Sequence, residues 1–312
     1  MTLTELRYLV NLDKERHFGR AAERSFVSQP TLSVALKKLE DELEVVLFER
    51  NRNEIRPTPV GERIVAQARR VLAEAALLED LAKEGGDELV GPLRVGAIYT
   101  VGPYLLPNLV PLLRKQAPKM PLVIEENFTA VLLEQLRANE LDVVLVALPI
   151  DAAGLQTWAV YDEPFVVLLP HDHRWSREAS IVAKRLAEEK LLLLGPGHCF
   201  REQVIHACPK CMDADGTGPR PQTGSSLETI RHMVASGLGI TVVPRSSVEN
   251  RPEEPSLTVA RPFAKPSPER RIALVWRKTY PRFKALATVR KAILESGMKG
   301  VKFVAEAGPE SS

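Results

Sequence analysis

The 312-residue chain is 45% hydrophobic and 26% charged, the balance of an ordinary water-soluble protein with length for two or three domains. A net charge of +2 excludes partner choice by bulk charge, so any nucleic-acid face must come from placement rather than excess. MTLTELRYLV soon gives way to Asp13, Lys14, Glu15 and Arg16 with no long apolar run, so neither signal peptide nor membrane span is expected. The expected location is cytoplasmic, where thiols are held reduced.

Residues 1–58 read as a compact helical unit. Leu3, Leu6, Leu9 and Val10 stripe a first helix, and Phe18-Gly19-Arg20-Ala21-Ala22 opens a second, with Ala22 and Phe26 expected on its inner face. Ser28 then serves as N-cap and Pro30 fits the first turn of a third helix, which continues through Leu32, Leu36, Leu39 and Leu43. Two short helices, a tight turn and a helix that starts with small polar residues make a helix-turn-helix. Its start presents Gln29, Pro30, Thr31 and Ser33 to base edges, with Lys37 one turn on for a phosphate. Leu47-Phe48-Glu49-Arg50 and the turn-rich Asn51 to Pro59 form a wing bearing Arg50, Arg52 and Arg56. A plain three-helix bundle is the competing reading of the same pattern.

Residues 59–86 read as a linker helix. Ile64, Ala68, Val71, Ala75, Leu78 and Ala82 step by 4, 3, 4, 3 and 4, a heptad seam suited to a dimer. Packing onto its own domain is the alternative for so short and alanine-rich a seam.

From Leu93 strands and helices alternate in a parallel α/β pattern, whose ligands bind beyond the C-terminal ends of the strands. Thr100 and Thr129 fall at such ends, and for Thr129 a plain helix cap is the reading favoured by pattern alone. Pro164 to Pro170 is a strand crossing into a second lobe, and Arg271 to Trp276 is expected to return to the first. The divisions are 87–163 with 267–303 for lobe I, 164–266 for lobe II, and 304–312 for a flexible tail.

Lobe II holds the stretch richest in chemistry, LLLLGPGHCFREQVIHACPKC. The leucines read as a buried strand, Gly195-Pro196-Gly197 ends it, and Phe200, Val204 and Ala207 share one helical face. Cys199 therefore begins a helix, where free N–H groups and the helix dipole stabilise a thiolate, with His198 as a possible helper. The three cysteines, 199, 208 and 211, are clustered, which argues for reactive rather than merely buried thiols.

Taken together the chain resembles the LysR family of bacterial transcription regulators, and within it the OxyR-type peroxide sensors. The family marks are Phe18-Gly19-Arg20-Ala21-Ala22, Ser28-Gln29-Pro30-Thr31-Leu32-Ser33, Leu39-Glu40, Leu47-Phe48-Glu49-Arg50 and Thr58-Pro59-Val60-Gly61. The subfamily mark is Gly197-His198-Cys199-Phe200-Arg201-Glu202-Gln203 followed by Cys208. The resemblance implies an α/β protein: an N-terminal winged helix-turn-helix and linker helix, then a two-lobed α/β effector domain like a periplasmic binding protein. It implies that Cys199 reacts with hydrogen peroxide, that Cys208 resolves the product, and that Thr100, Thr129, Gly197, His198 and Arg270 surround the peroxide. Arg271, adjacent to Arg270, takes its place if the register slips by one.

The same resemblance implies promoter DNA, RNA polymerase, a cellular thiol reductant and further copies of the chain (a dimer of dimers) as partners. No metal, cofactor, membrane partner or enzymatic turnover is expected. Cys211 is additional to the family's redox pair. Asn53 stands where many members carry a second wing arginine three residues from the first, so Arg52 is expected to take the minor-groove contact. Competing readings are a regulator whose cleft binds a small anionic metabolite, a metal sensor using Cys208, Cys211 and His198 or His206, and a thiol peroxidase. The metal reading is short of ligands, and a helix-turn-helix is out of place on the enzyme.

Overall fold

The computed structural model describes residues 1–51, 54–83, 87–208, 222–250, 257–304 and 310–311. The chain divides into an N-terminal unit and a second one that begins after the linker helix. No described helix is long and apolar enough to cross a membrane.

In the first unit, α1 (Leu3–Glu15) starts with a capping box between Thr2 and Glu5 and buries Leu6, Leu9 and Leu12, while Leu3 stays exposed. The short α2 (Phe18–Arg24) is capped by a histidine, whose ring Nδ1 accepts the N–H groups of Gly19 and Arg20. Phe26 departs from the sequence reading: it lies past the end of α2 and is 96% exposed. The reason is local. Val27 N–H bonds back to the Ala22 carbonyl, a Schellman closure that forces Phe26 into the left-handed region at φ 55° and turns its ring outward.

Helix α3 (Gln29–Leu43) follows, with Ser28 Oγ accepting the Thr31 N–H and Pro30 in the first turn. Strands β1 (Phe48–Asn51) and β2 (Glu54–Pro57) pair antiparallel as the wing. The linker helix α4 (Pro59–Lys83) buries Val65 and Ala68 in the core of its own unit, with Ile64 and Val71 beside them. The first half of the expected seam is thus used at home, whereas Leu78 is exposed. An open apolar groove of about 730 Å³ runs along α4, lined by Leu6, Leu43, Val45, Val60, Ile64 and Val71.

The second unit is built on one mixed sheet. Strands β3 (Leu93–Ile98), β4 (Leu122–Asn127) and β5 (Val143–Ala147) are parallel, joined by α5 (Gly102–Gln116) and α6 (Thr129–Arg137). Strands β6 (Leu155–Pro170) and β11 (Glu269–Arg277) run antiparallel to each other, and β11 also pairs antiparallel with β5. They are the two strands that cross between lobes in opposite directions. In lobe II the far half of β6 pairs with β9 (Ile240–Pro244), beyond which lie β7 (Leu191–Leu194) and β8 (Gln222–Gly224), with β10 (Thr258–Pro262) on the other edge. Helices α7 (Cys199–Ala207), α8 (Leu227–Ala235) and the short α9 (Ser246–Glu249) belong to this lobe, and α10 (Phe283–Leu294) packs on lobe I.

Each lobe has its own apolar core. The tail is less free than expected. Strand β12 (Lys302–Phe303) pairs with β6, Val304 N–H bonds to the Val160 carbonyl, and β13 (Glu310–Ser311) also pairs with β6.

The left-handed Phe26 generates a prediction. An L-residue there is disfavoured by about 1–2 kcal/mol, asparagine tolerates the conformation better, and the exposed ring buries nothing that offsets the strain. Phe26→Asn should therefore stabilise the N-terminal unit by about 1 kcal/mol, read as slower amide exchange in α2 and α3. Unchanged or faster exchange would show that the ring packs in solution.

Candidate functional site

The β7 leucines are all buried, the chain turns at Gly195 to Gly197, and α7 starts at Cys199. Gly197 is required twice over: its φ is +92°, and a Cβ would meet the Phe128 ring at 3.2 Å. His198 is the N-cap residue but gives no side-chain cap, so first-turn N–H groups of α7 remain available beside Cys199. Ile98, Tyr99, Thr100, Asn127, Phe128, Thr129, Gly197, His198 and Cys199 enclose a cavity of about 10 Å³ for the centre of a water-sized molecule. That is room for one molecule about the size of water. Small-metabolite pockets run to roughly 300–1,000 Å³.

Four of the expected pocket residues, Thr100, Thr129, Gly197 and His198, thus line one cavity with Cys199. Thr129 is not the helix cap that pattern alone favours. It is the first residue of α6, and its Oγ1 is buried without a hydrogen-bond partner. A buried, unsatisfied hydroxyl facing a small cavity is a group awaiting a polar ligand.

His198 lies edge-on to Phe128 and Tyr99, with ring centroids 4.8 Å and 5.8 Å away. Burial pushes its pKa below the ordinary 6.5, opposed by a hydrogen bond with the Ser225 backbone. Burial thus favours the uncharged form of this imidazole beside Cys199.

The structure resolves the arginine register. Arg270 points inward and is fully buried, whereas Arg271 pairs with Asp162 at the surface. Arg270 reaches the cavity through Thr100: Nη1 donates to Thr100 Oγ1 at 2.8 Å and Nη2 to the Thr100 carbonyl at 2.9 Å. Nε donates to Glu163 Oε2 at 2.7 Å, and the guanidinium lies 5.0 Å from the Phe200 ring centre. Sequence reasoning missed Glu163, Tyr99 and Phe128. Only the strand register, with Arg270 opposite Glu163, brings that carboxylate to the site.

Cys208 is buried at the C-terminal end of α7. It is disulfide-bonded while Cys199 is free, so the bond does not join the expected pair. Cys211 lies outside the described residues. Tyr104, from α5, donates to Glu228 of α8 at 2.9 Å, and its ring joins the lobe II core, so the lobes are tied across the cleft.

In the N-terminal unit, Gln29, Pro30 and Thr31 are exposed at the start of α3, while Ser33 is half-buried. Lys37 is exposed and held by Asp41 at 2.8 Å, a contact that a DNA phosphate would have to displace. Val34, one turn after Pro30, is also exposed. The Arg50 side chain and Arg52 lie outside what is described.

The comparisons agree with this geometry at both ends. Residues 3–62 match the bacterial regulatory helix-turn-helix protein, lysR family, and residues 86–297 match the LysR substrate binding domain. The DNA-binding transcriptional dual regulator OxyR of Escherichia coli (strain K12) is 40% identical over 298 residues, 95% of this chain and 96% of that one. The chain belongs to the LysR family, and within it to the OxyR type. A hydrogen peroxide-inducible genes activator from Pectobacterium carotovorum subsp. carotovorum is 41% identical over 295 residues, 93% of this chain and 96% of its own. Full-length OxyR from Pseudomonas aeruginosa, solved as a variant, is 50% identical with a TM-score of 0.77 and covers 99% of both chains. A peroxide-bound mutant of Corynebacterium glutamicum OxyR is 33% identical with a TM-score of 0.63, covering 95% of this chain and 92% of that one. The chain is accordingly a DNA-binding protein of transcription regulation.

The depressed His198 has a measurable consequence. Above pH 6.5 the imidazole is neutral in folded and unfolded chains alike, and the stability it permits is fully present. As the pH falls below 6.5 toward the folded-state value, the unfolded chain takes up the proton first and stability is lost. His198→Asn should flatten this acid limb in thermal unfolding of the full chain. An unchanged limb would assign it to other groups.

Proposed function

We propose that this protein senses hydrogen peroxide at Cys199 and transmits the oxidation to promoter DNA. The reading rests chiefly on one observation: a free cysteine at a helix N-terminus shares a small cavity with Thr100 and with the unpartnered Thr129 hydroxyl.

In the proposed chemistry the Cys199 thiolate attacks one peroxide oxygen, an S–O bond forms, the O–O bond breaks, and hydroxide leaves to be protonated as water. The resulting sulfenic acid is attacked by the Cys208 thiolate, forming a Cys199–Cys208 disulfide and releasing water. Cellular thiols reset the switch by reducing that bond. These steps start from the reduced chain, with Cys208 as a thiol. Cys211, just beyond it, is the candidate alternative resolving thiol.

The proposed domains are a winged helix-turn-helix at 1–58, a linker at 59–86, effector lobe I at 87–163 with 267–303, and lobe II at 164–266. The DNA contacts proposed are Gln29, Pro30, Thr31, Ser33 and Lys37 from α3, with Arg50 and Arg52 from the wing. The apolar groove along α4 and the exposed Leu78 support a dimer through this helix, and two dimers complete the working oligomer on cytoplasmic DNA with RNA polymerase.

Oxidation and alkylation rates test the site. Thr129→Val should slow peroxide oxidation of Cys199 by about tenfold or more while leaving alkylation by iodoacetamide within about twofold. Equal slowing of both would remove Thr129 from peroxide positioning. In fully reduced protein, Cys208→Ser should leave Cys199 as sulfenic acid in the absence of Cys211, seen by dimedone trapping and peptide mapping.

The dimer is tested separately. A buried ion without a partner is strongly disfavoured, so Leu78→Glu should give monomers in sedimentation and at least about tenfold weaker operator binding. An intact dimer would place the interface elsewhere.

A further inference from the structure

Thr100 lines the cavity beside Cys199, and a threonine hydroxyl rotates freely, so it can donate toward a bound ligand or turn its proton away. The orientation is set from behind the cavity. Thr100 Oγ1 accepts the Arg270 Nη1–H at 2.8 Å, so its own proton cannot point at the guanidinium and is left for the cavity it lines. Arg270 can hold that posture only if it is itself fixed. Its Nε–H goes to Glu163 Oε2 at 2.7 Å, Nη2 lies 2.7 Å from the same oxygen, and Nη2 also donates to the Thr100 carbonyl.

Glu163 and Arg270 sit opposite each other on β6 and β11, both out of contact with water. Two ions buried this deeply gain little over an apolar pair of similar volume, so stability alone does not account for them. Their geometry does have a use. The carboxylate fixes the guanidinium, the guanidinium occupies a lone pair of Thr100, and Thr100 is left as a donor toward the ligand. The guanidinium also lies against Phe200, the residue next to Cys199, so the same anchor supports the start of α7.

We propose that Glu163 is a positioning residue for the peroxide reaction: through Arg270 it sets Thr100 to donate to the peroxide oxygen that leaves as hydroxide. The inference rests on the peroxide reading above.

The test uses the full, reduced chain and follows Cys199 by quenched mass spectrometry with hydrogen peroxide and, separately, with iodoacetamide. Glu163→Gln removes the charge, and Glu163→Asp keeps it but draws it back by one methylene, which protects folding if the first variant is unstable. Both should slow peroxide oxidation, Glu163→Gln by about tenfold or more, while alkylation stays within about twofold of the parent. In a Thr100→Val background, Glu163→Gln should add less than about twofold, because the two act through one hydroxyl.

Wild-type oxidation rates in Glu163→Asp, and in Glu163→Gln where it folds, would overturn the inference. So would equal slowing of both reagents, or full additivity with Thr100→Val. Failure of the parent protein's Cys199 to react with peroxide would instead overturn the functional reading itself.

Discussion

A guanidinium taken wholly out of water is tolerated only where its donors are met, and in this protein that requirement falls on Arg270. The groups that meet it come from β6 and from the turn after β3, and the face of the group rests on a ring from α7. Residues 100, 163, 200 and 270 are far apart in sequence. One buried cation therefore aligns the crossing of the two inter-lobe strands, the turn bearing Thr100, and the helix that begins at Cys199. Removing one member of such a pair is expected to cost about 3–5 kcal/mol, because the other is left as an uncompensated ion.

The cavity inherits its size from the same alignment. Phe128 packs where a Cβ on residue 197 would lie, Tyr99 and Phe128 flank His198, and only a space for about one small molecule remains. Within that space the polar groups are few and fixed. Thr100 is committed to Arg270, Thr129 is unpartnered, and the thiol sits at a helix terminus. Under the proposed reading, selectivity for a small polar oxidant would follow from dimensions and unmet hydrogen bonds rather than from charge.

Local signals carried much of this into the sequence. The Ser28 cap, the first-turn Pro30, the glycine-bounded leucine strand and the placement of Cys199 each depend on residues within one turn of one another, and each is found as read. Phe26 was misread because an apolar residue at helical spacing looks inward, and nothing at that spacing announces a Schellman closure. Thr129 was weighed as a cap because threonine before a helix usually is one. Only the fold shows that Thr129 is the first residue of α6 and that its hydroxyl is buried without a partner. Glu163 was illegible for a different reason: its partner lies 107 residues away, and a one-residue change of register would have sent Arg271 inward instead. Pairing across a sheet is where sequence patterns of period two carry least information about partners.

Little holds α7, which is what the proposed switch requires. A helix of nine residues is marginal by itself, so its stability comes from tertiary contacts. Phe200 and Val204 are its buried anchors, each contributing roughly 1.5–3 kcal/mol, and Arg201 adds a hydrogen bond from Nη1 to the Leu194 carbonyl at 2.8 Å. Cys199 and Cys208 stand at its two ends, separated by about 13.5 Å of helical rise, whereas bridged Cα atoms lie within about 7 Å. A bond between them thus excludes the helix. A disulfide is typically worth about 2–4 kcal/mol, the same order as the contacts that unwinding would sacrifice. Under the proposed chemistry, two arrangements of comparable free energy, selected by whether one S–S bond exists, would make a bistable element. Because Phe200 is also the ring against which Arg270 lies, unwinding α7 withdraws support from the buried cation, and the change reaches both inter-lobe strands.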